Sequence, residues 1–316
     1  MNPPVSVVIP AYNASRFIDA SVLSALTQSF RDLEVIVVND GSTDDTVERL
    51  SAFNDPRLRL TEQSNQGYAS ALNTGIRASQ GTYLAILDAD DVWLPAKLSR
   101  HIQLLEERPE IDLTFSWVDV IDVHGRPIEM PSPRWRGTIS FPQLLTDYVI
   151  RTSSAVVMRR AAAEQAGWFD STLPRCIDLE FFLRVSLLRA NNICAVPEVL
   201  THYRRHAAQR TRDWRLIRQG WNQMLGSLRP RAPEAVARVE KLASSNMHRY
   251  YASIAYEGGD FREALQLVAR SCSLSPGAFV RDTRNWKMSA AAIAGVILPR
   301  NALLAVERAA GYERPE

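Results

Sequence analysis

The 316-residue sequence contains little of what defines several large protein classes. Its three cysteines, Cys176, Cys194 and Cys272, are too few and too scattered for a disulfide framework or a zinc knuckle, so we expect a reducing compartment. Charge of one sign is also lacking, because 37 lysines and arginines face 35 acidic residues. The net charge of +2 excludes nucleic-acid binding through the overall positive charge of the chain, and we expect no nucleic-acid partner.

Long apolar runs are scarce as well. The most apolar stretch, Ala290 to Leu298, is much shorter than the ~20 residues that a membrane-spanning helix needs. No basic-then-apolar signal peptide opens the chain. The stretch predicts a packed helix of a small domain, and a helix lying on a membrane surface stays open. We therefore expect a cytoplasmic protein, with a peripheral position at the inner face of the membrane as the alternative.

The sequence has neither a Gly-x-Gly-x-x-Gly string nor a Walker loop, which removes support for dinucleotide cofactors and P-loop phosphate transfer. Its first part instead alternates β-branched runs with helical patterns. The predicted strands are Val5–Ile9, Glu34–Val38, Arg57–Thr61 and Tyr83–Leu87, and the predicted helices are Ser15–Thr27, Asp44–Leu50 and Tyr68–Ala78. This alternation predicts a parallel sheet with helices on both faces, which binds ligands at the carboxyl ends of its strands.

Strand patterns end near Arg210, and the rest of the chain has helical patterns only. We predict an α/β domain at residues 1–215, with halves at 1–110 and 111–215, and a helical domain at 216–316. Residues 249–276 have the spacing of one tetratricopeptide-like helical hairpin. One such unit cannot bury its own apolar face, so we interpret it as part of a helical appendage.

Asp88-Ala89-Asp90 follows the last of the four predicted strands. Two carboxylates one residue apart at a strand end can bind a divalent cation, because Mg²⁺ takes one or two such oxygens together with substrate phosphates. The alternative is that these acids cap the helix predicted to begin near Pro95.

A third acid, Asp40, ends the second predicted strand. An acid at this position of a β-α-β unit commonly accepts hydrogen bonds from a ribose or a base. Its neighbours Asp44 and Asp45 are better explained as turn and helix-cap residues. We therefore assign Asp40 to a ligand.

Four ordered segments together resemble the nucleotide-binding half of family 2 glycosyltransferases of the GT-A fold. They are V-S-V-V-I-P-A-Y-N at 5–13, V-V-N-D-G-S-T-D-D-T at 37–46, N-Q-G-Y-A-S-A-L-N at 65–73 and G-T-Y-L-A-I-L-D-A-D-D at 81–91. The resemblance weakens towards residue 210 and does not cover the helical tail. It implies a Rossmann-like, mostly parallel α/β sheet before that tail.

The resemblance also implies an activity and its partners. The expected reaction is an inverting transfer of one sugar from a nucleotide diphosphate sugar, with UDP-sugar favoured, to an acceptor hydroxyl. The expected cofactor is Mn²⁺ or Mg²⁺. A glycan or a lipid-linked saccharide is the expected acceptor, and assembly of surface polysaccharide or glycan is the expected setting.

Residue roles follow from the resemblance position by position. Asp90 would ligate the cation, Asp88 would face the ribose and Asp40 would read the base. The remaining donor-binding positions of these motifs are Pro10, Tyr12, Asn13, Gly67 and Ala89.

The family's second half supplies the catalytic base from an acidic pair that opens a helix. Residues 177–184, I-D-L-E-F-F-L-R, match that segment and make Asp178 the expected base. Ile177 stands where a glutamate usually precedes the base, which keeps Glu180 and Asp170 in reserve. His206 matches a position where family members often place a metal-ligating or phosphate-facing histidine.

Three alternatives remain beside this interpretation. Ile177 is the one hint of a nucleotide-sugar-binding protein that has lost catalysis. A metal-dependent nucleotidyltransferase would normally carry a glycine-rich, basic loop after the first strand, which this chain lacks. Processive synthases carry a Gln-x-x-Arg-Trp string, and residues 209–214 approach it, but Asp213 separates the arginine from the tryptophan.

Overall fold

The computed structural model describes residues 3–128, 132–206, 209 and 212–309. The chain divides into two compact units. The first contains the chain up to Leu144, Tyr148–Leu173 and Ile177–Arg205, and the second contains Leu145–Asp147, Pro174–Cys176 and the chain from His206 onward. The domain division at residue 215 stays a prediction. No helix in the described part of the chain is both long and apolar enough to cross a membrane.

The first half of the sheet is parallel, as the sequence predicts. Its strands are β1 (Val5–Ala11), β2 (Leu33–Asp40), β3 (Leu58–Gln63) and β4 (Tyr83–Ile86), paired in the order β3-β2-β1-β4. The helices between them are α1 (Ile18–Leu26), α2 (Thr46–Ser51) and α3 (Tyr68–Ala78). Because all four strands run in one direction, their carboxyl ends meet at one edge of the sheet.

The second half of the sheet is mixed. Its strands are β5 (Val92–Trp93), β6 (Leu113–Ile121), β7 (Pro127–Ile128), β8 (Thr138–Ile139), β9 (Val156–Arg159) and β10 (Ile193–Arg204). From β4 the order continues β9-β6-β10-β5, in which only β6 and β10 are parallel. The accompanying helices are α4 (Lys97–Glu107), α5 (Phe141–Asp147), α6 (Arg160–Ala166) and α7 (Ile177–Ser186), with a 3₁₀ turn at Ser153–Ala155. The parallel arrangement is therefore concentrated in the first half.

Close packing fixes α3 against the middle of the sheet. A Cβ atom on Gly75 would lie 2.4 Å from a Val8 methyl carbon, so only glycine allows α3 to approach β1 this closely. Every residue of β1 and β2 is buried, whereas β3 at the sheet edge is largely exposed. The helix thus begins beside the carboxyl ends of the strands.

The second unit is helical, and no described residue after Arg204 belongs to a strand. Its helices are α8 (Trp214–Leu228), α9 (Pro233–Glu257), α10 (Phe261–Leu274), α11 (Pro276–Arg281), α12 (Thr283–Ile297) and α13 (Arg300–Ala309). The predicted hairpin is formed by α9 and α10, where the Ser245 hydroxyl donates to the Ser271 carbonyl at 2.8 Å. The packed-helix prediction for residues 290–298 holds only in part, because Ile297 is 71% exposed.

Candidate functional site

Asp88, Ala89 and Asp90 form the turn that follows β4. The backbone N–H of Asp91 donates to the Asp88 carbonyl at 3.1 Å. The Ser21 hydroxyl on α1 lies 2.8 Å from the Ala89 carbonyl and 2.7 Å from the Asp91 carbonyl. The turn is therefore held by the helix beside it. The capping alternative is wrong, because the N-cap residue of α4 is Ala96, and the side chain that accepts a hydrogen bond in its first turn is Gln28, from the Leu98 N–H at 3.0 Å.

Three hydroxyl groups surround the Asp88 carboxylate. The Tyr68 hydroxyl donates to Oδ1 at 2.7 Å, and the hydroxyls of Ser153 and Thr152 lie 3.0 Å and 3.1 Å from Oδ2. Burial and, after it, the charge of Asp90 raise the pKa of Asp88 to about 6, although the hydrogen bonds from Tyr68 and Ser153 act to lower it. A positive charge bound at this position would favour the ionised form.

Asp178 comes from the distant α7 and lies near this cluster. Its negative charge raises the pKa values of both Asp88 and Tyr68, after the larger effects of their burial. Its Oδ1 atom accepts a hydrogen bond from the Leu179 backbone N–H at 2.8 Å. The start of α7 is anchored by Phe181, whose ring stacks on Phe169 at 4.1 Å between centroids. The fold thus brings the predicted base and the predicted donor-binding acid together.

The two reserve acids have other partners. The Glu180 carboxylate is buried and pairs with Arg184 through two hydrogen bonds of 2.8 Å. Arg184 in turn donates to the carbonyl groups of residues 166–168. Asp170 accepts hydrogen bonds from the backbone and hydroxyl of Thr172 at 2.9 and 2.7 Å. Both carboxylates therefore support the loop before α7.

Asp40 lies buried at the end of β2, with 3% of its surface exposed. Its Oδ1 atom accepts from the Gln63 amide at 2.7 Å and from the Gln66 backbone N–H at 2.8 Å. Its Oδ2 atom accepts from the backbone N–H of Gly67 at 2.8 Å. Gly67 has a φ of 88°, which glycine adopts without strain. Asp40 therefore fixes the loop that carries Tyr68 to the site, and its contact with a base stays a prediction.

The loop after β1 contributes an exposed aromatic ring. Pro10 is buried within β1, whereas Tyr12 is 51% exposed. Asn13 connects this loop to the one after β2, since its backbone N–H donates to Ser42 at 2.9 Å and its side-chain oxygen accepts from the Thr43 N–H at 2.8 Å. The two loops thus form one polar surface at the edge where the strands end.

A buried ionisable cluster beneath the turn is absent from the sequence predictions. Asp91 is fully buried, and its carboxylate accepts hydrogen bonds from the Arg204 N–H at 2.9 Å and the Thr152 hydroxyl at 3.1 Å. Lys97 and His101 are also fully buried, with 3.3 Å between Lys97 Nζ and His101 Nε2. Burial lowers the pKa of Lys97, and burial together with the Lys97 charge lowers that of His101.

Sequence analysis also missed the hydroxyl groups around Asp88. Tyr68 directly follows Gly67 in the third motif, so its position at the start of a helix was available as a signal. Thr152 and Ser153 lie in a segment without a motif, and nothing in the sequence marks them. Their role depends on the antiparallel pairing of β9 with β4, which places the 3₁₀ turn beside Asp88.

The acidic residues at this edge fit a divalent cation that takes its remaining ligands from a substrate. No group of three or more metal-binding side chains occurs among the described residues. Asp88 and Asp90 nevertheless lie close enough for the Asp90 charge to raise the Asp88 pKa. Two carboxylates completed by phosphate oxygens form a common Mg²⁺ site.

His206 belongs to the second unit, and its metal ligation stays a prediction. Arg210 of the synthase-like string lies outside the described residues.

Comparison with known sequences identifies relatives of this chain. The family model described as Glycosyl transferase family 2 matches residues 6–167, just over half of the chain. A glycosyltransferase of Haemophilus influenzae is 31% identical over 219 residues, which cover 66% of this chain and 67% of the relative. The Escherichia coli enzyme WfgD, named UDP-Glc:alpha-D-GlcNAc-diphosphoundecaprenol beta-1,3-glucosyltransferase, is 28% identical over 193 residues, which cover 61% of this chain and 72% of WfgD.

Solved structures share the fold at low sequence identity. Staphylococcus aureus TarS 1–349 in complex with UDP-GlcNAc has a TM-score of 0.62 and 17% identity, with 92% of this chain and 90% of that chain covered. The mannosyltransferase PcManGT of Pyrobaculum calidifontis, in complex with GDP-Man and Mn²⁺, has a TM-score of 0.55 and 18% identity, with 99% and 89% covered.

Proposed function

This chain belongs to glycosyltransferase family 2 and is a glycosyltransferase, and we propose that it transfers one sugar from a UDP-sugar to an acceptor hydroxyl with inversion. The observation that carries the proposal is the approach of Asp178 to Asp88 at the edge where the parallel strands end. The name of WfgD and the TarS complex support a UDP-sugar donor.

The donor binds across the loops that follow β1, β2 and β4 in this proposal. Tyr12 offers an aromatic face to the base, with Pro10 and Asn13 shaping the same surface. Asp40 holds the loop at Gly67 and faces the base, and Asp88 with Ala89 faces the ribose. The position of these residues supports this part of the proposal, because all of them belong to loops at one edge of the sheet.

A cation site here does not need a closed cage of protein side chains, because Mg²⁺ takes one or two carboxylates together with substrate phosphates. We propose Asp90 as the main protein ligand of Mn²⁺ or Mg²⁺. The bound cation would neutralise the charge that develops on the departing diphosphate. The PcManGT complex with Mn²⁺ supports this choice of ion.

Asp178 acts as the general base in this proposal. Its place in the first turn of α7 favours the ionised carboxylate, because the helix N-terminus carries partial positive charge. The carboxylate takes the proton of the acceptor hydroxyl as that oxygen attacks the anomeric carbon. Attack from the face opposite the diphosphate inverts the configuration at that carbon.

The acceptor is a glycan or a lipid-linked saccharide in this proposal, within surface polysaccharide or glycan assembly. The name of WfgD, which includes a diphosphoundecaprenol-linked sugar, supports a lipid-linked acceptor. Trp168, in the loop before α7, is 39% exposed and offers an apolar face to an acceptor in this proposal. We also propose a cytoplasmic location, which the three free cysteines support.

A screen of nucleotide sugars by thermal shift, with Mn²⁺ or with a chelator, tests the donor and the cation together. A ligand that binds only the folded protein at ~100 times its dissociation constant stabilises it by ~2.7 kcal/mol. We expect a UDP-sugar to raise the melting temperature in Mn²⁺ and to do so far less in chelator. Equal shifts with and without the cation would contradict the metal proposal, and no shift with any UDP-sugar would contradict the donor proposal.

A further inference from the structure

Helix α12 presents apolar side chains to solvent along one face. Trp286, Ala290, Ile293 and Ile297 are spaced by four, three and four residues, which places them on a single helical stripe. Trp286 is 53% exposed, Ile293 45% and Ile297 71%. A helix of a water-exposed surface normally turns such a stripe towards the core. Here the buried positions of the helix are Asn285 and Ala292 instead.

Two exposed valines extend this stripe. Val296 is 42% exposed and lies beside Ile297 on the same helix. Val280, at the end of α11, is 58% exposed, and its carbonyl accepts a hydrogen bond from the Trp286 indole N–H at 2.9 Å. We call these six residues, Val280, Trp286, Ala290, Ile293, Val296 and Ile297, the α12 face. An exposed apolar cluster of this kind marks an interaction surface.

The charges on α12 itself are positive. From Thr283 to Val306 the chain contains three basic residues, Arg284, Lys287 and Arg300, and no aspartate or glutamate. Arg284 is paired with Asp282 at 2.7 Å, whereas Lys287 and Arg300 are exposed and form no ion pair with any residue that the structure describes. An apolar face with exposed cations complements an anionic surface that has an apolar interior.

A groove lies where α12 ends. Its lining residues are Gly258, Gly259, Phe261, Leu298, Arg300, Leu303 and Leu304. The lining is apolar except for the Arg300 guanidinium and the glycine backbone. An acyl chain can occupy such a groove while its anionic headgroup contacts the arginine.

We infer that the α12 face is a docking surface for an anionic lipid bilayer. Amphipathic helices bind membranes in this way, with apolar side chains in the acyl boundary and cations against the headgroups. Trp286 suits the boundary because tryptophan combines a large apolar ring with one polar group. A second copy of the chain fits less well, since pairing this segment with itself would oppose its cations, and Asp282, the one acid between Val280 and Val306, is already paired with Arg249 and Arg284.

Sedimentation with phospholipid vesicles tests this surface on the full chain. We expect the protein to sediment with vesicles of phosphatidylglycerol and phosphatidylcholine, to bind pure phosphatidylcholine less, and to dissociate as salt screens the charges. Ile293→Glu should weaken vesicle binding by roughly 10- to 100-fold, which corresponds to one buried aliphatic side chain. Lys287→Ala should weaken it by about fivefold.

Two variants serve as matched controls. Leu23→Glu replaces an equally exposed apolar residue on α1, and Arg238→Ala removes an exposed cation from α9. Both should bind vesicles like the wild type. Wild-type protein that stays in solution with anionic vesicles would overturn the inference, as would Ile293→Glu protein that binds them normally. A dimer that Ile293→Glu dissociates, without vesicle binding by the wild type, would assign the α12 face to a second copy instead.

The same samples separate this surface from the proposed reaction. All four variants should keep the thermal shift with UDP-sugar and Mn²⁺, because none of the substituted residues belongs to the donor site. A protein that binds vesicles but no nucleotide sugar would contradict the proposed function alone. A protein that binds the donor but no vesicles would contradict the docking surface alone.

Discussion

Asp178, in the first turn of α7, lies close enough to Asp88, after β4, for its negative charge to raise the pKa of the Asp88 carboxyl. The two residues come from the two halves of the first unit, and only the folded sheet brings them together. Like charges in a shared, partly buried site repel each other unless a cation or hydrogen-bond donors compensate them. Tyr68 and Ser153 supply donors to Asp88, and the proposed cation would supply the rest.

The Glu180–Arg184 pair supports structure, so its disruption should reduce stability. Glu180→Gln leaves a buried guanidinium without its counter-charge, and we expect a loss of about 3 kcal/mol or more in the free energy of unfolding. Urea unfolding measures this change. Glu240→Gln, which breaks the exposed pair with Arg229, is the matched control and should have little effect. A fully stable Glu180→Gln protein without turnover would make Glu180 the base.

The Tyr68 hydroxyl should contribute to donor binding through Asp88. Tyr68→Phe removes one hydrogen bond to a carboxylate, so we expect the donor's dissociation constant in Mn²⁺ to rise by about tenfold or more. Isothermal titration measures this constant. Tyr251→Phe is the matched control, because the Tyr251 hydroxyl is buried without a hydrogen-bond partner among the described residues. Unchanged donor affinity in Tyr68→Phe would remove Tyr68 from the site.

Asp40 should affect both stability and the donor. Asp40→Ala leaves the backbone N–H groups of Gln66 and Gly67 unpaired, and we expect a loss of ~1–3 kcal/mol in the free energy of unfolding. The donor's dissociation constant should rise more than the acceptor's Michaelis constant changes. Titration calorimetry and steady-state kinetics give the two values. The opposite pattern would place Asp40 on the acceptor side.

His101 should make the protein sensitive to acid. Its folded pKa is lowered well below 6.5 by burial and by Lys97, so below pH 6.5 the unfolded chain binds a proton that the folded chain does not. The contribution of His101 to the free energy of unfolding is therefore fully present above pH 6.5. It is lost as the pH decreases, by at most ~1.4 kcal/mol per pH unit. His101→Gln should flatten this slope in urea unfolding, and the exposed His124→Gln should not. A wild-type slope in His101→Gln would assign the acid sensitivity to other groups.

The sequence predicts the first half of the fold well because its signals are local. Gly67 precedes α3, and the predicted helix Tyr68–Ala78 has the observed bounds. Helix α1 begins at Ile18 rather than Ser15, after a turn in which the backbone N–H groups of Phe17 and Ile18 donate to the Ala14 carbonyl. The third predicted strand, Arg57–Thr61, is found as β3 at the sheet edge.

The second half and the lower part of the site depend on contacts between distant segments. Nothing local indicates that β9 pairs with β4 or that Ser153 therefore reaches Asp88. The buried Lys97 and His101 look like surface residues of α4 in the sequence. The Glu180–Arg184 pair was available from its spacing of four residues, which places the two side chains on one helix face.

The turnover of Asp178→Asn tests the central claim most directly. Loss of a general base typically costs ~10²–10⁴ in rate. We predict a loss of that order in the release of UDP during transfer to an acceptor, with the donor's dissociation constant in Mn²⁺ unchanged. Asn also serves as a helix cap, so a variant with nearly normal turnover would show that Asp178 only supports the start of α7, and would contradict the account.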